Sequence, residues 1–412
     1  MEKRMNHIRS KTLQPLFVLS LITFGFLGTL LGETNYSGHF IFPPQSKHVH
    51  SSSIVECPNG DLIAVWFHGS GEKGADDVQI QGSRLRKGKT SWEKPFVAAD
   101  TPQVPDCNPI VFIDAQNRLW LVWIVVHGNR WEKSLLKYRY SEDYQNEGSP
   151  QWKWQDIILL KPDNQLPNQL KEGFNKLGYK QEMWGEYALP YDKLLIEAAR
   201  DQHKRELGWM TRCLPLILTS GSHSGRILLP LYSDGFNISL MGISDDAGKT
   251  WRTSQPVVGF GNIQPTLARR KDGTLLAFMR DSGMAPQRVM VSESNDDGES
   301  WTVAQDTPLL NPGSSLAVTV LADGRWIMAL NDTEQGRHQM SIALSIDEGR
   351  TWPRHKIIEK APPKQNGFGY PTVIQSRSGR VHLTYSNSQT QGATIKHTSF
   401  DPDWLNTGTE PY

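Results

Sequence analysis

The stretch Ser244-Asp245-Asp246-Ala247-Gly248-Lys249-Thr250-Trp251 decides the fold, because its pattern S-x-D-x-G-x-[ST]-W occurs three times in the chain. The second copy starts 50 residues later, at Ser294, and the third starts 51 residues after that, at Ser345. We call these three motifs the Asp-boxes. A fixed period of this length predicts a repeat architecture, in which each unit buries its faces only against neighbouring units.

A second pattern, turn residues followed by an apolar run, recurs at a nearly constant distance before each Asp-box. Such turns are typical of β-hairpins, because Gly and Asn tolerate the positive φ that a tight turn requires. Two degenerate Asp-boxes, Ser83 to Trp92 and Ser141 to Trp152, continue the series towards the N-terminus. The six turns are Asn59-Gly60, Gln116-Asn117, Ser224-Gly225, Asp272-Gly273, Asp323-Gly324 and Ser378-Gly379. Six hairpins predict an all-β protein, a β-propeller with six four-stranded blades.

The interval between the second and third turns, Asn117 to Gly225, is about twice as long as the others. Residues 161–210 are rich in Lys, Glu, Gln, Asn and Leu, and Leu194 to Leu207 has the composition of a helix. We therefore predict a partly helical insertion at about 155–210, in the third blade. A seventh blade in this interval is the alternative.

The N-terminal segment has the layout of a signal peptide. Four basic residues precede an apolar run from Leu16 to Leu31, which is short for a membrane-spanning helix. We predict a signal peptide at 1–32 and a propeller at 33–412, hence a secreted or periplasmic protein; an uncleaved membrane anchor is the alternative. Residues 33–412 carry 40 basic and 42 acidic side chains. This balance predicts no nucleic-acid partner, and no membrane partner beyond the signal segment.

Charged and polar residues recur near the start of each predicted innermost strand, where the blades converge on the propeller axis. Burying such side chains costs free energy unless they form ion pairs or hydrogen bonds or bind a ligand, so they are candidates for a central site. Of His48 and His50, we expect only one to face the cleft. The other candidates are Asp76, Asp77, Asp106, Asn108, Arg212, Gln264, Arg280, Asn331, Arg337 and Tyr370.

The Asp-boxes, their spacing and these polar positions together resemble the sialidase (neuraminidase) superfamily over nearly all of the chain after residue 32. The resemblance implies that Asp76 or Asp77 is the catalytic acid/base and that Tyr370 is the nucleophile. It also implies that Arg280 and Arg337 bind the substrate carboxylate.

The chain departs from the superfamily pattern at two places. Where the superfamily has an Arg near the first strand, the chain has His48-Val49-His50. Where the superfamily has a Glu that activates the tyrosine, the chain has Gln264, and an amide cannot take a proton. The chain therefore resembles a divergent branch of the superfamily, marked by Gln-Pro-Thr and Tyr-Pro.

These residues predict an exported glycoside hydrolase that cleaves a terminal acidic sugar, sialic acid or a related residue, from a glycan. Tyr370 and an Asp of the 76–77 pair would act at the glycosidic bond. Asp106, Asn108, Arg212 and Asn331 would add substrate contacts. No cluster of His, Asp or Glu has ligand spacing, so we expect neither a metal nor another cofactor.

Two other functions fit the same residues. A polysaccharide lyase acting on uronic acids needs a cation for the carboxylate, a base for the C5 proton and an acid for the leaving oxygen. Arg280 or Arg337, a His of the 48–50 pair and Tyr370 would fill those roles. A carbohydrate-binding propeller without turnover is the third alternative.

Overall fold

The computed structural model describes residues 35–178, 191–365 and 367–407, together with the backbone of residues 410–411. The predicted signal peptide at 1–32 lies outside the described residues. Within the described ranges, no helix is both long and apolar enough to cross a bilayer.

The first two blades each contain four consecutive antiparallel strands, and a short strand, β1 (Tyr36–Phe40), precedes them. Blade 1 consists of β2 (His48–Glu56), β3 (Leu62–Gly69), β4 (Gln79–Leu85) and β5 (Phe96–Ala99). Blade 2 consists of β6 (Asp106–Ile113), β7 (Leu119–Val126), β8 (Ser134–Asp143) and β9 (Gln151–Ile158).

The inserted segment follows β9 and contains three helices. They are α1 (Leu166–Leu177), α2 (Tyr191–Arg200) and α3 (Gln202–Glu206). The predicted insertion is confirmed, but it starts later than residue 155 and precedes the first strand of blade 3. The single predicted helical stretch is divided between α2 and α3, where Asp201 accepts hydrogen bonds from the backbone N–H groups of His203 and Lys204.

Blade 3 has an interrupted innermost strand, because β10 (Met210–Thr211) and β11 (Leu216–Ile217) both pair with β12. The rest of the blade is β12 (Ile227–Ser233), β13 (Ile238–Ser244) and β14 (Arg252–Thr253). Blade 4 is regular and consists of β15 (Asn262–Arg269), β16 (Leu275–Asp281), β17 (Arg288–Ser294) and β18 (Gln305–Leu310). The break in blade 3 places Arg212 between two short strands at the propeller axis.

Blades 5 and 6 contain the remaining strands and close the ring. Blade 5 consists of β19 (Ala317–Val320), β20 (Trp326–Leu330), β21 (Gln339–Ser345) and β22 (Arg354–Lys360), with β26 (Glu410–Pro411) at its outer edge. Blade 6 consists of β23 (Gly367–Gln375), β24 (Val381–Gln389) and β25 (Gly392–Phe400). Its fourth strand is β1, which pairs antiparallel with β25 from Tyr36–Phe400 to Phe40–Lys396. The last blade therefore combines the first described strand with three strands from the C-terminal part of the chain, and the predicted six-bladed propeller is confirmed.

The Asp-boxes form the turns between the third and fourth strands of blades 3, 4 and 5. In the first box, one oxygen of Asp246 accepts hydrogen bonds from the backbone N–H groups of Lys249 and Thr250, at 3.0 and 2.9 Å. Trp251 closes the turn by donating its indole N–H to the Gly248 carbonyl at 3.2 Å. The motif is therefore a turn device, as the sequence indicates.

Asp281, at the end of β16, makes the stability of blade 4 depend on pH. Burial raises its pKa to about 6, although its carboxylate accepts backbone hydrogen bonds from Gly283 and Arg288. The folded protein therefore retains this proton at pH values where the unfolded chain has lost it. This contribution to the free energy of unfolding is present below about pH 4 and is lost as pH rises towards 6.

We therefore expect the free energy of unfolding of the wild type, relative to Asp281→Asn, to fall by about 2 kcal/mol between pH 4 and pH 7. Urea denaturation of both proteins across this range measures the difference. A difference that does not change with pH would contradict the assignment.

Candidate functional site

The inner strands of four blades share one backbone irregularity. Ser51, Asn108, Gln264 and Tyr370 have positive φ angles of 58, 47, 56 and 54°. Each lies at a shift of strand register in β2, β6, β15 or β23. A bulge of this kind re-aims a side chain, and a positive φ at a residue other than Gly carries a conformational cost. The fold therefore imposes strain at Gln264 and Tyr370, which form the central site, and at Asn108 and Ser51 in the same strand position.

Tyr370 lies at the centre of this group, with 9% of its surface exposed. Its hydroxyl oxygen accepts hydrogen bonds from Nε2 of Gln264 at 3.1 Å and from Nη1 of Arg280 at 3.4 Å. Its ring centroid lies 4.1 Å from that of His50. The guanidinium carbons of Arg212 and Arg337 lie 4.8 and 5.5 Å from the same ring. The sequence-predicted residues of blades 1, 3, 4, 5 and 6 thus meet at one tyrosine.

Three arginines surround Tyr370 without a carboxylate partner. Among the described residues, no carboxylate oxygen lies within salt-bridge distance of Arg212, Arg280 or Arg337, whereas many other arginines of the propeller form ion pairs. Burial lowers the pKa of Arg212 and of Arg337, as expected for cations held without a counter-charge. A cluster of this kind favours an anionic ligand.

Arg212 lies beneath the site and not on its surface. It is 1% exposed and donates hydrogen bonds to the carbonyl oxygens of Pro371 at 2.8 Å and Ser52 at 3.5 Å. It therefore links the inner strands of blades 1, 3 and 6 under the tyrosine ring. The substrate contact predicted for Arg212 therefore stays a prediction, whereas Arg280 and Arg337 are partly exposed at the cleft.

His48 and His50 lie on the same side of β2, and His50 is the one of the two whose ring packs on Tyr370. Their ring centroids are 5.7 Å apart, and both pack against Phe67. The reason is that residues two apart in a strand share a face. Burial holds the pKa of His50 well below its ordinary value, and the charges of Arg337, His48, Arg212 and Arg280 lower it further. His50 is therefore a neutral imidazole in contact with Tyr370.

The loop between β3 and β4 carries three carboxylates, and they have different surroundings. Asp77 accepts hydrogen bonds from the backbone and hydroxyl groups of Ser70 at 2.9 and 2.6 Å and pairs with Lys47 at 3.0 Å. These contacts, those of Ser70 above all, hold the pKa of Asp77 well below its ordinary value. Asp76 is exposed and accepts a hydrogen bond from Asn129 at 3.3 Å. Asp77 therefore stabilises the loop, and neither aspartate has a recorded contact with the Tyr370 cluster.

Glu72, in the same loop, is a further carboxylate whose charge acts on His48 and Arg337, and sequence reasoning did not select it. Burial lowers the pKa of His48 and of Arg337, and the negative charge of Glu72 acts on both in the opposite direction. Asp234, which is exposed after β12, interacts electrostatically with Arg280 and Glu72. The charges of two carboxylates thus act on the arginines, although neither carboxylate forms an ion pair with them among the described residues.

Tyr232, in β12, is a second residue that sequence reasoning missed. Its hydroxyl oxygen accepts hydrogen bonds from Nδ2 of Asn108 at 3.1 Å and from Nε2 of Gln264 at 3.3 Å. Burial raises the pKa of Tyr232 well above its ordinary value, so the phenol is neutral. Gln264 therefore bridges Tyr232 and Tyr370, and Asn108 joins this network through its hydrogen bond to Tyr232.

We expect Tyr232→Phe to lower the free energy of unfolding by about 1–3 kcal/mol, because two buried N–H donors lose their shared acceptor. Denaturant unfolding measures the loss. Tyr140→Phe is the matched control, because the half-buried Tyr140 hydroxyl has no recorded hydrogen bond among the described residues. Equal free energies of unfolding for both variants and the wild type would contradict the hydrogen-bond network around the Tyr232 hydroxyl.

Asp106 and Asn331 have structural partners instead of positions at the cleft. The Asp106 carboxylate is buried and accepts hydrogen bonds from Thr101 and from the Trp123 indole, at 2.6–2.8 Å. Asn331 is buried and donates to the carbonyls of Gln339 and Phe368 at 2.7 and 2.9 Å. Their polar groups are already satisfied, so the structure gives no support to the predicted substrate contacts. In the described part of the chain, no group of three or more His, Cys, Asp or Glu is placed to bind a metal.

Comparison with known proteins identifies a family whose model matches most of the chain. The BNR repeat-like domain family matches residues 60–194 and 197–383. A sialidase of Micromonospora viridifaciens is 27% identical over 215 residues, which are 48% of this chain and 32% of that protein. The match therefore spans about a third of that relative's length.

Two solved structures share the fold. A leech intramolecular trans-sialidase superposes with a TM-score of 0.65 at 13% identity, covering 90% of this chain and 71% of the other. A protein of unknown function from Dyadobacter fermentans superposes with a TM-score of 0.63 at 15% identity, covering 89% of this chain and 98% of the other. At these identities the superpositions show the fold alone.

Proposed function

The chain belongs to the BNR repeat-like domain family, and from this premise we propose that it is an exported, exo-acting glycoside hydrolase. Its substrate would be a glycan with a terminal acidic sugar, sialic acid or a related residue. The sialidase of Micromonospora viridifaciens, similar over about half of this chain, supports a carbohydrate substrate.

The single observation that carries the proposal is the arrangement of unpaired arginines around a buried phenol. Arg280 donates to the Tyr370 hydroxyl, and Arg337 lies over the Tyr370 ring. A sugar carboxylate would supply the counter-charge that the described residues do not place within salt-bridge distance. It would also bring the adjoining anomeric carbon close to the Tyr370 oxygen. A phenol suits this position, because a carboxylate nucleophile would be repelled by the substrate's own negative charge.

In the first step, the Tyr370 oxygen attacks the anomeric carbon while the glycosidic C–O bond breaks. The leaving oxygen takes a proton from a carboxyl group of the loop between β3 and β4, and we propose Glu72 for this role beside the sequence-selected Asp76 and Asp77. The phenolic proton passes to His50, because Gln264 cannot accept it. The substrate carboxylate offsets the arginine charges that otherwise oppose protonation of His50.

In the second step, Glu72, now a carboxylate, takes a proton from water. That water attacks the anomeric carbon and breaks the bond to Tyr370. His50 returns the proton to the departing phenolate, so every group regains its starting state. A tyrosine nucleophile is a recognised exception to the two-carboxylate scheme of glycosidases.

A second candidate function is a lyase reaction on uronic-acid polysaccharides, and the neutral His50 specifically favours it. In that reaction, Arg280 or Arg337 neutralises the uronate carboxylate and His50 removes the C5 proton. Tyr370 then protonates the leaving oxygen. This scheme does not need the glutamate that Gln264 replaces.

The experiment that separates these functions is product analysis of the purified protein. The substrates are a fluorogenic sialoside and a panel of uronic-acid polysaccharides. Free saturated acidic sugar supports the hydrolase. Ultraviolet absorbance from a new unsaturated uronate supports the lyase instead. Binding of these glycans without any product would overturn both and leave a carbohydrate-binding propeller.

A further inference from the structure

Helix α1 forms one wall of a groove on the outer part of the propeller. Gly173 allows the close approach of the helix, because a Cβ atom there would lie 2.5 Å from the Cβ of Val258. Between α1 and the Asp-box turn of blade 4, this docking leaves a groove of about 480 Å³. Its volume lies in the range of small-ligand sites.

The groove combines an aromatic surface with polar side chains that have no other role. Trp301 is half-buried, and its indole N–H donates to the Gly298 carbonyl at 3.1 Å, so the ring contributes apolar surface to the groove. The side chains of Gln169, Glu172, Lys176 and Gln255 also line the groove. Within the described ranges, none of these four has a recorded hydrogen-bond or ion-pair partner.

The helical spacing explains how these polar groups come to share one wall. Gln169, Glu172 and Lys176 follow one another at intervals of three and four residues, so they form a single stripe along α1. The buried side of the helix carries Leu170 and Phe174 instead. The stripe therefore presents amide, carboxylate and ammonium groups opposite Trp301.

We propose that this groove binds an uncharged sugar segment of a glycan. A sugar ring has an apolar C–H face that packs on an indole and an edge of hydroxyls that pair with amides and carboxylates. Three carboxylates, Glu172, Glu293 and Asp296, and one ammonium line the groove, and of these carboxylates Glu293 is paired with Arg270 at 2.8 Å. This charge balance disfavours an acidic sugar, in contrast to the arginine cluster at Tyr370.

The groove is separate from the central site and does not depend on the proposed reaction. The innermost strand of each blade starts at the end where Tyr370 lies, and strand alternation puts the turn between the third and fourth strands at the opposite end. Trp301 belongs to such a turn. A sugar bound there anchors the neutral part of a glycan away from the central cleft.

Saturation-transfer NMR with the full chain tests the proposal, with lactose and cellotriose as neutral probes and N-acetylneuraminic acid as the acidic one. We expect transfer to at least one neutral probe, and about tenfold weaker binding of it by Gln169→Ala/Glu172→Ala. Alanine has a higher helix propensity than glutamine or glutamate, so we expect helix α1 to remain folded in this double variant. Lys171→Ala, exposed on the same helix and outside the groove, is the matched control and keeps full binding.

The central-site variant Arg280→Ala/Arg337→Ala distinguishes this proposal from the proposed function. Neutral binding that survives in this variant supports a separate groove, whatever the enzyme activity. Neutral binding that disappears there would assign it to the central cleft and overturn the proposal. The absence of transfer to either neutral probe, or transfer that the helix substitutions leave unchanged, would also overturn it. Acidic-sugar binding that depends on Gln169 and Glu172 would overturn the charge argument.

Discussion

Tyr370→Phe is expected to lower kcat on an acidic glycoside by about 1,000-fold or more, because it removes the oxygen that forms the covalent bond. The ring remains, so its contacts with His50, Arg212 and Arg337 are preserved. The loss should therefore fall on kcat, with a small effect on the affinity for substrate. Steady-state kinetics with a fluorogenic sialoside, or with the uronate substrate found by product analysis, measures it.

The control for this prediction is Tyr140→Phe, which removes a phenolic hydroxyl from blade 2, away from the central cluster. It should keep the wild-type kcat. If Tyr370→Phe also kept most of the wild-type kcat, Tyr370 would be neither the nucleophile nor the proton donor, and both proposed reactions would fail.

Glu72→Gln is expected to lower kcat/KM by about 100-fold or more on a substrate with a poor leaving group, because the amide cannot protonate the departing oxygen. A substrate with a highly acidic phenol as leaving group needs less protonation, so the loss should be much smaller there. This dependence on the leaving group is specific to an acid catalyst, and a loss of folding would not produce it.

The same loop supplies matched controls for Glu72. Asp76→Asn and Asp77→Asn remove the two carboxylates that the resemblance to sialidases selected. We expect Asp76→Asn to leave kcat/KM nearly unchanged, because the Asp76 carboxylate is exposed and accepts a hydrogen bond from Asn129. Asp77→Asn should lower kcat/KM by the same factor on both substrates, because it removes the contacts of the carboxylate with Ser70 and Lys47 that hold the loop. A large, leaving-group-dependent loss in Asp76→Asn with none in Glu72→Gln would restore Asp76 as the acid.

The parts of the fold that depend on local patterns could be predicted from the sequence. Each Asp-box forms its turn largely from its own residues, as Asp246 does with Lys249 and Thr250, so the motif identifies the turn wherever it occurs. The repeat period then determines the number of blades. The inserted helices were recognisable by composition, but their boundaries depend on the end of β9 and on the cap at Asp201, which composition does not determine.

The central residues on inner strands were predictable for a related reason. Asn108, Gln264 and Tyr370 each precede a proline, and each lies at a bulge with positive φ. Proline lacks an N–H group, so its presence in an inner strand signals a break in the ladder of hydrogen bonds. That signal marks where a side chain turns towards the axis.

Residues outside this pattern could not be placed from the sequence. Tyr232 lies near the end of an apolar strand that has the pattern of ordinary core, and only the closure of the ring of blades brings it to Gln264. Glu72 lies in a loop without a repeat, so nothing distinguished it from Asp76 and Asp77. Asp106 has the polarity of a site residue, but its carboxylate accepts hydrogen bonds from Thr101 and Trp123. Burial depth, which decides these cases, is a property of the closed ring.

The most direct test of the central claim, that the cleft at Tyr370 holds an acidic sugar through Arg280 and Arg337, is calorimetric titration with sugar acids. N-acetylneuraminic acid and galacturonic acid are titrated beside galactose into the wild type and into Arg280→Ala/Arg337→Ala. The account predicts that the wild type binds at least one acid, that it binds galactose less tightly at this cleft, and that the double variant loses the acid. Equal binding of the acids by both proteins, or no binding of either acid by the wild type, would contradict it.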